Sequence, residues 1–163
     1  MVQCREKAKG LIPLPHRVLV DADACPRSAL AIVETVCKEY GWTCLTYASY
    51  NHLRTGPNHT VVDAEPQAVD IKLTNDTLPG DIVVTQDIGL AALILAKQAK
   101  ALSPHGEVFS HENIAFQLEK RNEQARYRRG GGRTRGPSAR TGKDDQRFAA
   151  SLRLLLAAAD ERE

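Results

Sequence analysis

Cysteine is scarce in this chain, and badly spaced for metal or disulfide chemistry. Cys4, Cys25, Cys37 and Cys44 form no C-x-x-C pair and have no histidines at zinc-finger spacing, which argues against a structural zinc site and a disulfide scaffold. Cys37 and Cys44 read as small core residues. Cys25, at a helix start, has the option of a nucleophilic role, but the arginine that a C-x5-R phosphate loop needs is replaced by Ala31. Long hydrophobic runs are also lacking: no segment approaches the roughly 18 apolar residues of a membrane span. The leader, residues 1–16, has only Leu11-Ile-Pro-Leu-Pro15 as an apolar cluster, too short and proline-broken for a signal peptide. The expectation is a cytoplasmic protein with no membrane partner. Internal repeats are absent, and 163 residues fit one core rather than two full domains.

Charge is present but unevenly placed. Ten basic residues against three acidic ones give Lys120 to Arg147 a charge of +7, so the net +2 of the chain leaves −5 for the remainder. An acidic body with a basic, glycine-rich arm suits a polyanionic partner, RNA above all, with Arg128, Arg129, Arg133 and Arg135 as phosphate contacts. A merely solvated charge run fits the composition equally well. Only Tyr127 is aromatic in the arm, so base stacking and sequence preference are expected to be weak. Homo-oligomerisation is compatible with the sequence.

Strand and helix signals alternate along the chain. Val18, Leu19 and Val20 read as a buried strand, and Leu30, Val33, Cys37 and Tyr40 recur at helical spacing between Pro26 and the stop at Gly41. Thr43 to Ala48 and Val61-Val62 are expected strands. Gln67 to Asn75 is an expected short helix turning Val69, Ile71 and Leu73 inward. Asp81 to Thr85 reads as a buried strand, Gly89 to Lys100 as a helix, and the segments flanking Ser-Pro-His-Gly as a strand pair or a strand with a turn. The fold class is α/β, with three layers and a mostly parallel sheet. It occupies 17–128; 129–140 is a basic glycine-rich loop, and 141–163 a helix docking through Phe148, Leu152, Leu155 and Leu156 after capping-box spacing at Thr141 and Asp144.

Asp21 and Asp23 follow the first strand directly, at the edge where open α/β sheets bind ligands. Asp87 closes the strand Ile82 to Thr85 and belongs to the same edge, while Asp70 can reach it from the short helix. Asp81 precedes its strand and reads as a turn residue at the opposite end. Crowded carboxylates need a compensating cation, and oxygen-only donors point to Mg²⁺ or Mn²⁺. Plainer roles stand beside this: Asp21 satisfying turn amides, Asp23 or Asp87 capping a helix, Asp70 as a surface charge. Ser49, Asn51 and His52, after the second strand, either line the edge or form an ordinary loop, and the Thr85 hydroxyl can orient a ligand or water.

Val20-Asp-Ala-Asp-Ala-Cys-Pro26, Tyr47-Ala-Ser-Tyr-Asn-His52, Ala68-Val-Asp70, Gly80-Asp-Ile-Val-Val-Thr-Gln-Asp-Ile-Gly-Leu-Ala-Ala92 and the late Gly136-Pro137 with Asp144, Asp145 and Phe148 resemble the YaiI/YqxD family of uncharacterised bacterial proteins. The resemblance spans about Arg17 to Leu156; the leader departs from it. That family in turn resembles PIN-like nucleases, whose α/β/α fold gathers carboxylates around Mg²⁺ or Mn²⁺ to cut RNA. The resemblance implies that Asp21, Asp70 and Asp87 are the first, middle and fourth-strand carboxylates of such a site, with Asp23 as an added neighbour.

Three functions are therefore open. One is a metal-dependent phosphodiesterase acting on RNA or single-stranded nucleic acid. Another is a haloacid-dehalogenase-like phosphatase, which also begins strand-D-x-D but needs a later lysine, for which Lys72 is the nearby candidate. The third is a non-catalytic nucleic-acid-binding or regulatory protein with a structural ion.

Overall fold

The computed structural model describes residues 16–49, 57–63, 65, 67–136 and 138–161. The leader up to residue 15, together with Asn51 and His52, lies outside the described residues. Val18, Leu19 and Val20 are fully buried in β1 (Arg17–Asp21), the central strand of a five-stranded sheet ordered β3-β2-β1-β4-β5. All four pairings are parallel. The chain builds β2 (Thr43–Ser49) and β3 (His59–Val62) outward on one side of β1. It then returns to the other side with β4 (Ile82–Val84) and β5 (Lys100–Leu102). That reversal makes a switch point between β1 and β4, and a crevice is expected outside their carboxyl ends. A single antiparallel bridge, Leu102 to Val108, completes the turn after β5.

Strand alternation sorts the core into two halves, because successive side chains point to opposite faces. Val18, Val20, Ile82 and Val84 pack with α1 (Arg27–Tyr40) and α5 (Gly142–Asp160), whose Phe148, Leu152 and Leu156 are wholly buried. Leu19 and Val83 pack with the other layer: α2 (Ala68–Asp76), α3 (Ile88–Ala96) and the first turns of α4 (His111–Arg129), through Leu73, Leu90, Ile94 and Ile114. Three layers result. Asp21 shares the parity of Leu19 and Thr85 that of Val83, so both belong on the α2–α3 side.

Three local expectations need correction. Ile71 is exposed, whereas Val69 packs at the edge of the core and Leu73 is buried. Residues two apart lie some 200° apart on a helix, so only the i and i+4 pair shares the inner face. Next, α3 stops at Ala96 rather than Lys100, because Lys97 and Gln98 turn the chain, Gln98 with φ 63°, and Lys100 already pairs with Ile82. Asp81 lies at the amino end as expected but is no simple turn residue: it is completely buried and receives Arg17 Nε at 3.1 Å and the Leu78 amide at 2.8 Å.

Capping residues set the remaining helix ends. Gly41, at φ 71°, closes α1 in the left-handed region that glycine enters without strain. Ser110 and Asn113 form a capping box on α4, and Asp144 accepts from the Thr141 amide at 2.9 Å on α5. Only Ile114 of α4 is buried, and from Glu119 to Arg129 every residue but half-buried Ala125 is exposed. The helix outruns the body that holds it.

Candidate functional site

Each helix that follows a strand begins at the carboxyl edge of the sheet, so α1, α2 and α3 bring their positive dipole ends there. Asp21 ends β1 at this edge and is 6 % exposed. Burial pushes its carboxyl up to about 6, and the neighbouring charges of Asp70 and Asp23 push the same way, against hydrogen bonds from the Ala24 and Asp23 amides. Asp70, in the first turn of α2, is raised by burial and then by Asp87. Like charges are thus coupled in a chain, Asp23 to Asp21 to Asp70 to Asp87. Among the described residues, neither Asp21 nor Asp70 has an ion-pair partner.

Like Asp21, both Asp23 and Asp87 hold backbone amides. Asp87 caps α3, its Oδ1 accepting from Gly89 N at 2.8 Å and Leu90 N at 3.2 Å. Thr85, buried, accepts the Asp87 amide at 3.0 Å and so fixes the cap. Asp23 does not cap α1, which has no side-chain cap; its Oδ2 accepts the Ser49 amide at 2.9 Å and ties the β1 turn to the end of β2. Ser49 therefore lies at the predicted edge. Among the described residues, no three of His, Cys, Asp or Glu are grouped so that they could hold one metal ion.

A cleft of about 510 Å³ opens between α2 and α3, lined by Gln67, Asp70, Ile71, Asp87, Leu93 and Arg121 among others. Asp87 and Arg121 also line a shallower neighbour of about 350 Å³ with Ala24 and Gln86. Arg121 was legible only as one charge in a basic run; here its guanidinium stands 4.0 Å from Asp87 Oδ1. Gln86 likewise had no assigned role, yet its Nε2 donates to the Ala24 carbonyl at 2.7 Å and clamps the two acidic loops together.

The basic arm divides into exposed and engaged residues. Arg128, Arg129, Arg133 and Arg135 are exposed, with Arg128 donating to Thr134 Oγ1 at 3.3 Å. Arg140 is not available to a partner, since it donates to Asp145 at 2.7 Å, Ser28 at 3.1 Å and the Pro104 carbonyl at 2.6 Å, pinning α5 to α1. Lys72 pairs with Asp76 at 3.0 Å and lines none of these clefts.

The family model described as the uncharacterised YaiI/YqxD family matches residues 19–158. The chain belongs to that family. Its relatives include a UPF0178 protein of Heliobacterium modesticaldum, 44 % identical over 140 residues that cover 86 % of this chain and 96 % of the relative. Another, from Exiguobacterium sibiricum, is 41 % identical with the same coverage, and one from Clostridium kluyveri is 38 % identical, covering 86 % of this chain and 92 % of the relative. No solved structure matches the chain. The matched segment contains both cleft-lining carboxylates and the helix that carries Arg121.

Proposed function

We propose that the carboxyl edge is a phosphodiesterase site of PIN-like type for RNA or another single-stranded nucleic acid, dependent on Mg²⁺ or Mn²⁺. The observation that carries this reading is Asp21, buried at the switch point beside two further carboxylates with no cation paired to it among the described residues. Such a grouping is costly unless a positive charge occupies it. The donors, all carboxylate oxygens, suit a hard divalent ion. With Asp87 Oδ1 committed to the α3 cap, Asp23 to the Ser49 amide and Asp21 partly to the Ala24 and Asp23 amides, they suit a water-rich site centred on Asp21 and Asp70 rather than a cage of four.

When bound, such an ion supplies Lewis-acid polarisation and a more acidic water. The residues of the chain do the rest. Thr85 and the α3 amides hold Asp87 in place, the Asp23 and Gln86 contacts keep the two acidic loops together, and the exposed arginines of 128–135 attract the polyanion to an otherwise acidic edge.

Incubation of labelled single-stranded RNA with Mn²⁺ or Mg²⁺ tests the reading. Wild type should cleave and EDTA should stop it. Asp21→Asn should remove both turnover and the metal-induced rise in Tm. RNA binding that persists in EDTA with no turnover in either metal would overturn the enzymatic reading in favour of a binding protein, an outcome to which the absence of a three-carboxylate grouping among the described residues lends a specific reason.

A further inference from the structure

The cleft between α2 and α3 combines features that a bare acidic site would not need. Ile71 and Leu93, on its opposite helices, are 59 % and 56 % exposed, two large apolar side chains left at the surface. Gln67 and Asn75 add amide donors and acceptors, and the volume of about 510 Å³ falls within the range of roughly 300–1,000 Å³ typical of small-ligand pockets. Asp70 and Asp87 repel an anion from the interior, while Arg121 is the only cation among the described lining residues. A ligand matched to this layout has a flat, partly apolar body with hydrogen-bonding edges and a single anionic group held at the side.

We propose that this cleft is a nucleotide subsite of the polynucleotide substrate, with the base between Ile71 and Leu93 and the adjoining phosphate on Arg121. The inference rests on the reading of the edge as a nucleic-acid site and specifies how the strand is held there. Gly89 lines the cleft, and a Cβ there would crowd the capping Asp87 Oδ1 at 3.2 Å. The strand's exit is also marked. Ile114, Leu118, Arg121, Ala125 and Arg128 recur at three- and four-residue steps, so they form one stripe of α4. Its first members are buried against the core, and beyond the body the same stripe carries Arg121 and Arg128, about 10 Å apart along the axis. From Glu119 to Arg135 there are seven basic side chains against two acidic ones. Charge complementarity therefore favours a phosphate backbone running from the cleft along α4.

Fluorescence anisotropy in EDTA, with labelled oligouridylate and a matching abasic ribose-phosphate oligomer, separates the two contacts without any cleavage. Arg121→Ala should weaken both ligands about tenfold at low salt and reduce the slope of log affinity against log salt by roughly one. Leu93→Ser should weaken oligouridylate several-fold, leave the salt slope unchanged and leave the abasic oligomer unaffected, because an apolar contact releases no counterions. Both positions are exposed, so matched melting curves should accompany these results. An unchanged slope in Arg121→Ala, a Leu93→Ser loss equal for both ligands, or a wild type that binds neither overturns the subsite. A wild type that binds in the expected pattern yet never cleaves confirms the subsite and defeats the nuclease reading.

Discussion

Arg17 and Asp81 face each other at the amino ends of β1 and β4, where the register pairing Val18 with Ile82 sets them side by side. The carboxylate is fully buried, and the guanidinium also donates to the Asp76 carbonyl at 2.9 Å. This locks the end of α2 to β1 and β4 at their amino ends, away from the carboxyl edge that carries Asp21. Removing one partner of a buried pair strands the other, so Arg17→Met should destabilise the fold by about 3–5 kcal/mol in denaturant titration. The double variant Arg17→Met with Asp81→Leu should recover much of that loss. If the double variant is no more stable than the single, the pair is not what stabilises this end.

Asp21 should make the metal-free protein less stable as pH rises. Its folded carboxyl titrates near 6 and an unfolded one near 3.8, so the folded state binds more protons between those values. The associated stability is present below about pH 4 and lost by about pH 6, on the order of 2–3 kcal/mol. Denaturation in EDTA across this range should show the decline in wild type, and Asp21→Asn should flatten it. A decline of equal size in Asp21→Asn would assign it to other groups.

The exposed arginines of the arm are expected to provide affinity and not chemistry. Replacing Arg133 and Arg135 together by Ala should lower the salt slope of RNA binding by roughly two and leave the Tm unchanged. Arg140→Ala should do the reverse, lowering the Tm through its contacts with Asp145, Ser28 and Pro104 while barely moving the salt slope. Similar slopes for all three proteins would show that the loop touches no phosphate.

Gly106 is a point where the backbone itself is constrained. It sits at φ 91°, and a Cβ there would lie 2.8 Å from the Arg147 backbone, under the start of α5. Gly106→Ala should therefore cost about 2–4 kcal/mol, from the left-handed conformation and the clash together. A denaturation midpoint equal to wild type would mean that the turn shifts freely.

Much of this was legible in the sequence where short-range signals suffice. The apolar run of β1, the proline start and glycine stop of α1, and the Thr141 and Asp144 spacing each act within a few residues, and the alternation of elements gave the parallel sheet. Asp21 and Asp87 could be placed at one edge because one ends a strand and the other comes within three residues of a strand's end. What stayed hidden depends on distant partners. Arg121 meets Asp87 across 34 residues, and no local pattern distinguishes it from its basic neighbours. Arg140 looked like one more cation of the arm, although its partners lie on α1, α5 and the turn after β5. The Ile71 assignment applied a two-residue rhythm to a helix.

The half of the core formed by Val18, Val20, Ile82 and Val84 is completed by Phe148, Leu152 and Leu156, which leave the ribosome after every strand of the sheet. During synthesis α1 and its side of the sheet therefore wait with an uncovered apolar surface, while the layer of α2, α3 and α4 already has its own members. Commitment to the native state is postponed until α5 has been made, and a chain halted before α5 would present that surface to chaperones or to another nascent copy.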